Sequence, residues 1–431
     1  MIAAAALIAA LVLSYALLSR PLDRFWITAP MVFVGVGLVI GNAAFDMVDL
    51  GMDNEPVHLV AELTLVLVLF ADASLIDLRA LARQASLPTR LLALGMPLSI
   101  VLGALVARLL FPELAWLEAF ALAAVLAPTD AALGQAVVSS PAVPARIRQT
   151  LSVESGLNDG IALPAVLLFT ALASIGGGEG RSPGEWLTFG LLQVTLGPLA
   201  GMVVGGVGGR LLRAAQGRGW IEASAERVAG LSLAVLAYAL AETIGGNGFI
   251  SAFVAGMAFG AVARAETRCI HDFLEAEGQL LIMLVFLMFG ASLLWPALRG
   301  ATGAVALYVV LSLTVIRMLP VGLSLIGTGV RMPTVLFLGW FGPRGLATVL
   351  FGLLVVSEGS MPHGTLVEAV AMCAAGVSVL AHGVTALPFA TLYGRAVGDR
   401  DGCPEENRDG LATPTRAVPM AEARYAPGSA P

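Results

Sequence analysis

Apolar residues fall along this chain in runs of about 20, the length a helix needs to cross the roughly 30 Å hydrocarbon core of a bilayer. Thirteen runs are legible, near residues 2–19, 27–45, 57–75, 90–111, 115–139, 150–175, 186–209, 228–244, 249–263, 271–295, 300–326, 332–356 and 364–393. The first is followed rather than preceded by arginines, so it reads as a retained span and not a cleaved leader. From about Gly394 the pattern stops. Residues 394–431 are rich in Pro, Gly, Ala and charge and read as a short disordered tail. The pattern predicts an all-α polytopic membrane protein, with a membrane domain over 1–393 and no folded soluble domain.

Composition agrees: 58% of the residues are hydrophobic and 13% charged, far from the usage of a soluble domain. The net charge of −6 sits largely in loops and tail and points to no nucleic-acid partner. Cys269, Cys373 and Cys403 have no metal or redox spacing. Every basic residue is arginine, as a GC-rich bacterial genome would give. The arginines also report sidedness, because short cytoplasmic loops accumulate them. Odd-numbered loops and the tail carry Arg20, Arg24, Arg79, Arg83, Arg90, Arg146, Arg148, Arg210, Arg213, Arg218, Arg227, Arg264, Arg268, Arg331 and the arginines from Arg395 on. Even loops carry Arg108, Arg181 and Arg299. The expected topology puts the N-terminus outside and the C-terminus in the cytoplasm, in a bacterial inner membrane.

Among the charged residues in apolar runs, six are the candidates: Asp72, Asp130, Glu154, Asp159, Arg317 and Arg344. A charge at the bilayer centre costs about 2.5–3.5 kcal/mol on insertion scales, so function is the default reading. The fifth run contains APTDA, where Pro128 removes a backbone donor and Thr129 and Asp130 compete for the freed groups. The twelfth contains FGPRG. Both predict a broken helix. The breaks lie seven spans apart, an odd offset, so their helices run in opposite directions, as in inverted repeats with a midplane site. Asp130 and Arg344 are placed to neutralise the exposed half-helix ends, which is also their bland explanation.

The sixth run adds LSVESGLNDG. Ser155 and Asp159 share one helix face and offer hard oxygen donors for a small cation; Glu154 and Asn158 share the adjoining face. Glu154 needs a counter-charge, and Arg317 is left without a partner at a break, so the two are assigned a structural ion pair. Gly201, Gly205 and Gly209 have small-xxx-small spacing and predict close helix packing. His58, His271, His363 and His382 never pair as ligands would; they read as solvated or core residues, with His363 placed to tune a pH response.

VESGLNDG, APTDAA, GFISAFVAGMAFG at 248–260, FLMFGASL at 286–293 and FGPRGLAT at 341–348 resemble, in order, sodium/proton antiporters of the bacterial NhaP type and their eukaryotic exchanger relatives. The resemblance implies about thirteen helices in two inverted six-helix repeats with two broken crossing helices. It also implies a homodimer whose core domain moves against a dimerisation domain. Asp159 would be the acid that carries cation and proton, preceded by Asn158, with Thr129, Asp130 and Ser155 around a monovalent metal ion. The pair Glu154–Arg317, and Arg344 at the second break, fit the same pattern. The chain departs from it at ADAS, where relatives often carry Glu or Gly, so Asp72 is a further candidate for the ion.

The expected activity is therefore exchange of Na+, Li+ or K+ for H+, with no cofactor beyond the transported ions and no enzyme chemistry. Asn158 stands where relatives that move two protons per sodium have a second aspartate. One acid is left to cycle, which implies electroneutral exchange. Three alternatives use similar residues. A channel would need a filter repeat, which is not visible. An intramembrane aspartyl protease using Asp130 and Asp159 would carry a GxGD-type motif, which LND is not. A proton-coupled solute symporter would require an organic solute.

Overall fold

Each predicted apolar run that is described is helical in the computed structural model, which describes residues 2–41, 43, 55–75, 86–174, 183–263, 267–357 and 361–397. The helices are α1 (Ile2–Arg24), α2 (Ala29–Ile40), α3 (Glu55–Ser74), α4 (86–110), α5 (Trp116–Val125), α6 (Ala131–Val138), α7 (Ala145–Ser174) and α8 (Pro183–Gly217). They continue with α9 (Ala223–Thr243), α10 (Gly248–Val262), α11 (267–299), α12 (303–324), α13 (Met332–Trp340), α14 (Leu346–Ser357) and α15 (Gly364–Val397). With α5 and α6 counted as one interrupted span, and α13 and α14 as another, the described residues form thirteen spans. Six of the helices are individually long and apolar enough to cross a membrane. The last helix runs to Val397, past the sequence-based limit, and residues 398–431 lie outside the described residues, as do Arg79, Arg83, Arg181 and Arg264.

Local chemistry explains several ends. Pro30 opens α2 and Pro333 opens α13, at positions where a missing N–H costs nothing. Asn247 caps α10 by accepting the Ile250 N–H at 2.9 Å, and Thr302 caps α12 by accepting the Val305 N–H at 3.3 Å. Three irregularities escaped the apolar pattern. π turns occupy Leu91–Gly95 in α4 and Phe289–Leu294 in α11, and α12 is interrupted at Thr314, which has φ −116° and ψ −93°.

The inverted repeat shows in glycine contacts. Gly37 on α2 and Gly41 at its C-terminal cap press on the backbone of Leu287 and Ala291 on α11, so closely that a Cβ on either would collide. Gly256 and Gly260 on α10 press in the same way on Phe70 and Ser74 of α3. In span numbers the first contact joins 2 to 10 and the second joins 9 to 3. A shift of seven spans converts one into the other, with the same four-residue spacing on both sides. Gly201 and Gly205 of α8 meet Ser251 and Ala255 of α10 equally closely, and Gly209 meets Phe259 and Val262. In lipid, where burial of apolar surface does not drive helices together, such backbone approach lets packing do so.

Candidate functional site

The two interruptions cross each other deep in the bundle. Pro128 and Pro343 stop α5 and α13 from continuing, since each lacks a donor and its ring crowds the preceding turn. The linkers then bond directly, with the Asp130 N–H donating to the Pro343 carbonyl at 2.8 Å. The Asp130 carboxylate receives both half-helices that leave the crossing. Oδ1 accepts the Leu133 N–H of α6 at 3.3 Å, and Oδ2 accepts the Leu346 N–H of α14 at 2.6 Å. Two positive N-terminal ends thus share one negative charge. A side chain at Gly345 would overlap that carboxylate, so the second glycine of FGPRG makes room for the acid of the first break. Arg344, 1% exposed, donates from Nη1 to the Pro128 carbonyl at 3.1 Å beside the end of α5. Its backbone N–H donates to Ser378 Oγ at 2.6 Å.

α7 runs past the first break. Ser155 Oγ donates to the Thr129 carbonyl at 2.6 Å, and Asn158 Nδ2 donates to Thr129 Oγ1 at 2.6 Å. Spending the amide nitrogen on Thr129 fixes the Asn158 carbonyl oxygen on the opposite side. That oxygen and Asp159 Oδ1 are both buried without a hydrogen-bond partner. Two orphaned oxygens, one carrying charge, are costly to bury unless something neutralises them. Oxygen-only donors suit a hard cation, and Thr129 and Ser155 lie beside them. No group of three or more His, Cys, Asp or Glu side chains that could hold a metal occurs among the described residues.

Asp72 of α3 lies beside Gly156 of α7, where a Cβ would be in ordinary contact with its own, 3.8 Å away. Asp72 also lines a cavity of about 580 Å³ that includes Leu133 beside the break and Trp26, Ser140 and Gly278 towards the loops.

Glu154, on the adjoining face of α7, is buried with Arg317, and Arg317 Nη2 donates to Glu154 Oε1 at 2.5 Å. The Thr314 interruption precedes Arg317 by one turn. Gly342 closes over the guanidinium; a Cβ there would strike its Nε. So the structure brings Thr129, Asp130, Ser155, Asn158, Asp159 and Asp72 together and keeps Glu154 and Arg317 as a separate pair. Sequence reasoning missed Gly345, Gly156 and the contact of Ser378 and His382 with the second break. Their signals were present only as a glycine after PR, a glycine inside the SGLN stretch, and a serine and histidine four apart.

Two antiparallel broken helices crossing around an acid, in an inverted-repeat bundle, define a secondary transporter of the broken-helix class. The transmembrane sodium/hydrogen exchanger family matches residues 6–392, and the chain belongs to it. It is 26% identical over 354 residues to Na+/H+ antiporter 2 of Zygosaccharomyces rouxii, covering 78% of this chain and 43% of that protein. It is 25% identical over 406 residues to the K+/H+ antiporter NhaP2 of Shewanella oneidensis, covering 90% of this chain and 66% of the relative. The chain thus spans less than two thirds of the length of these relatives. The fold is similar to that of the sodium proton antiporter MjNhaP1 from Methanocaldococcus jannaschii, with a TM-score of 0.75 at 16% identity over 93% of this chain and 99% of that one.

Proposed function

We propose that this chain exchanges a monovalent cation, Na+, Li+ or K+, for H+ across the membrane by alternating access, with both ions competing for Asp159. The observation that carries the proposal is the pair of partnerless buried oxygens, Asn158 Oδ1 and Asp159 Oδ1, beside the crossing. A carboxylate there is stable only when neutralised, and either ion can do it. Exchange then needs one further condition, that the neutralised protein and not the bare charged one passes between inward and outward states. The oxygens of Asp159, Asn158, Ser155 and Thr129 would hold the cation, with Asp130 holding the helix ends and Asp72 at the entrance.

The names of the relatives, one for Na+ and one for K+, support a monovalent cation without choosing between them. With one acid free to cycle, the exchange is electroneutral, one cation for one proton. The arginine bias supports a C-terminus in the cytoplasm of a bacterial cell and an inner-membrane location, which makes the cavity at Asp72 an inward-facing entrance. The family resemblance supports a homodimer.

The test is purified protein in liposomes enclosing a pH dye, challenged with sodium, lithium or potassium chloride and no organic solute. A pH change is expected with at least one salt, and its loss is expected in Asp159→Asn, whose amide cannot carry the proton. Full exchange by that variant would sink the assignment.

A further inference from the structure

The repeat that relates the two breaks also relates the helices that return past them, α7 and α15. Pro128, Thr129 and Asp130 correspond to Pro343, Arg344 and Gly345. On α7, Ser155 bonds the backbone of the middle residue, Thr129, and Asp159 stands one turn further on. On α15, Ser378 bonds the backbone of the middle residue, Arg344, and His382 stands one turn further on. The lengths are consistent. α14 has 12 residues where α6 has 8, and the return along α15 needs the same extra turn, so Ser378 comes eight residues later after its break than Ser155 after its own.

The two places differ in what is left open. At the first, Asn158 Oδ1 and Asp159 Oδ1 have no partner. At the second the hydroxyl and both ring nitrogens are taken. The Arg344 N–H can only donate, so Ser378 Oγ accepts it and gives its own proton to His382 Nδ1, 3.0 Å away. Nε2 then carries the ring proton and donates to the Trp340 carbonyl, in the last turn of α13, at 3.0 Å. The Ser378 carbonyl is also 3.1 Å from Nδ1, but the opposite neutral tautomer would turn the Nε2 lone pair onto the Trp340 oxygen. The imidazole is 1% exposed. It lies against the Trp340 ring, with centroids 5.2 Å apart, and the indole Nε1 donates to Thr385 Oγ1, also on α15, at 3.0 Å.

We infer that His382, with Ser378, is a positioning residue. It is the second repeat's counterpart of Asp159, and its neutral imidazole fills with protein hydrogen bonds the place that the cation takes in the first repeat. The second break is held at both ends, Trp340 and Arg344, while the first binds and releases its ion. Through that hold the Leu346 N–H stays on Asp130 and the Arg344 guanidinium stays on the Pro128 carbonyl, which fixes the linker that carries Thr129. The inference rests on the antiport reading.

Its test separates geometry from folding. Liposomes carrying wild-type protein, His382→Leu, His382→Gln, Ser378→Ala, the His382→Leu and Ser378→Ala double variant or Thr391→Ala are driven in parallel with sodium, lithium and potassium chloride at fixed pH. Melting temperatures are taken on the same preparations. His382→Leu is expected to raise the apparent KM for the better-transported cation about tenfold, equivalent to about 1.4 kcal/mol, and Ser378→Ala by a similar factor. The two together should do no more than the larger alone, because they act as one unit. His382→Gln, whose amide supplies a donor and an acceptor, should return most of the loss. Thr391→Ala, an exposed hydroxyl bonded within its own turn, should leave KM unchanged. A protein that merely folds less well loses maximal rate and keeps its KM. Wild-type KM in both His382→Leu and Ser378→Ala overturns the inference, and if His382→Leu fails to insert, Ser378→Ala alone decides. No exchange by the wild type with any salt overturns the antiport reading and this inference with it, whereas wild-type exchange beside unmoved variants overturns this inference alone.

Discussion

Asp130 accepts backbone N–H groups from two half-helices, and so it has a different task from Asp159 on α7. The donors stabilise its charge, so in the proposed cycle that charge stays in place, whereas Asp159 has an oxygen with no donor and is the acid that exchanges partners. The sequence placed both acids at the site and set Asp130 against the half-helix ends, but it could not name the donors, because Leu346 reaches Asp130 across more than 200 residues. The pair Glu154–Arg317 was legible because, of the two candidate intramembrane arginines, Arg344 was already placed at the second break and only Arg317 was left for Glu154. Removing one member leaves the other buried and uncompensated, at a cost of about 3–5 kcal/mol, while replacing both with apolar groups of similar size is milder. Melting temperatures of Glu154→Gln, Arg317→Met and the double variant should therefore be strongly non-additive. Additive losses would mean that the two charges do not support each other in the membrane.

At the scale of elements, proline and the residues around it told where helices break, since a missing donor and a ring clash act locally. The interruption at Thr314 and the two π turns were not legible. Pro97 and Pro296 each follow a π turn by two residues and withhold a backbone donor there, but the apolar runs continue through both; no proline lies within a turn of Thr314. Glycine was half legible: the spacing of Gly201, Gly205 and Gly209 announced close packing, but the matching of Gly37 and Gly41 with Gly256 and Gly260 became visible only with their partners in place. Gly345 is a glycine whose reason lies in another helix. Gly345→Ala should push the Asp130 carboxylate off the Leu346 N–H and cost about 1–3 kcal/mol, with exchange impaired. Gly134→Ala, where a Cβ meets nothing within 4 Å, is the control, read by melting temperature and liposome exchange. Equal behaviour of the two would mean that the crossing tolerates a methyl group where the fold leaves none.

For the whole molecule, the thirteen-span count followed from apolar run length alone, and the inverted relation of the halves from the odd offset between two prolines. The partner state and the side of the membrane were not fixed by such patterns. Under the proposed exchange, electroneutrality is the molecular consequence of having one exchangeable acid. With Glu154 held by Arg317 and Asp130 held by helix ends, that proposal has a single charge neutralised in both directions and transporting forms of equal net charge. Sodium-driven pH change should then proceed at the same rate when potassium and valinomycin impose an inside-negative or an inside-positive potential. A marked acceleration under one sign would show that a second acid cycles.

The most direct measurement of the central claim counts protons at the site itself. Purified protein in weakly buffered solution near the pH of half-maximal exchange is mixed with saturating transported cation while a pH indicator reports release. Competition at Asp159 predicts a cation-dependent release approaching one proton per chain, larger where more of Asp159 starts protonated, and none in Asp159→Asn. Release of equal size from the Asp159 variant, or cation binding by the wild type with no proton released, would contradict it.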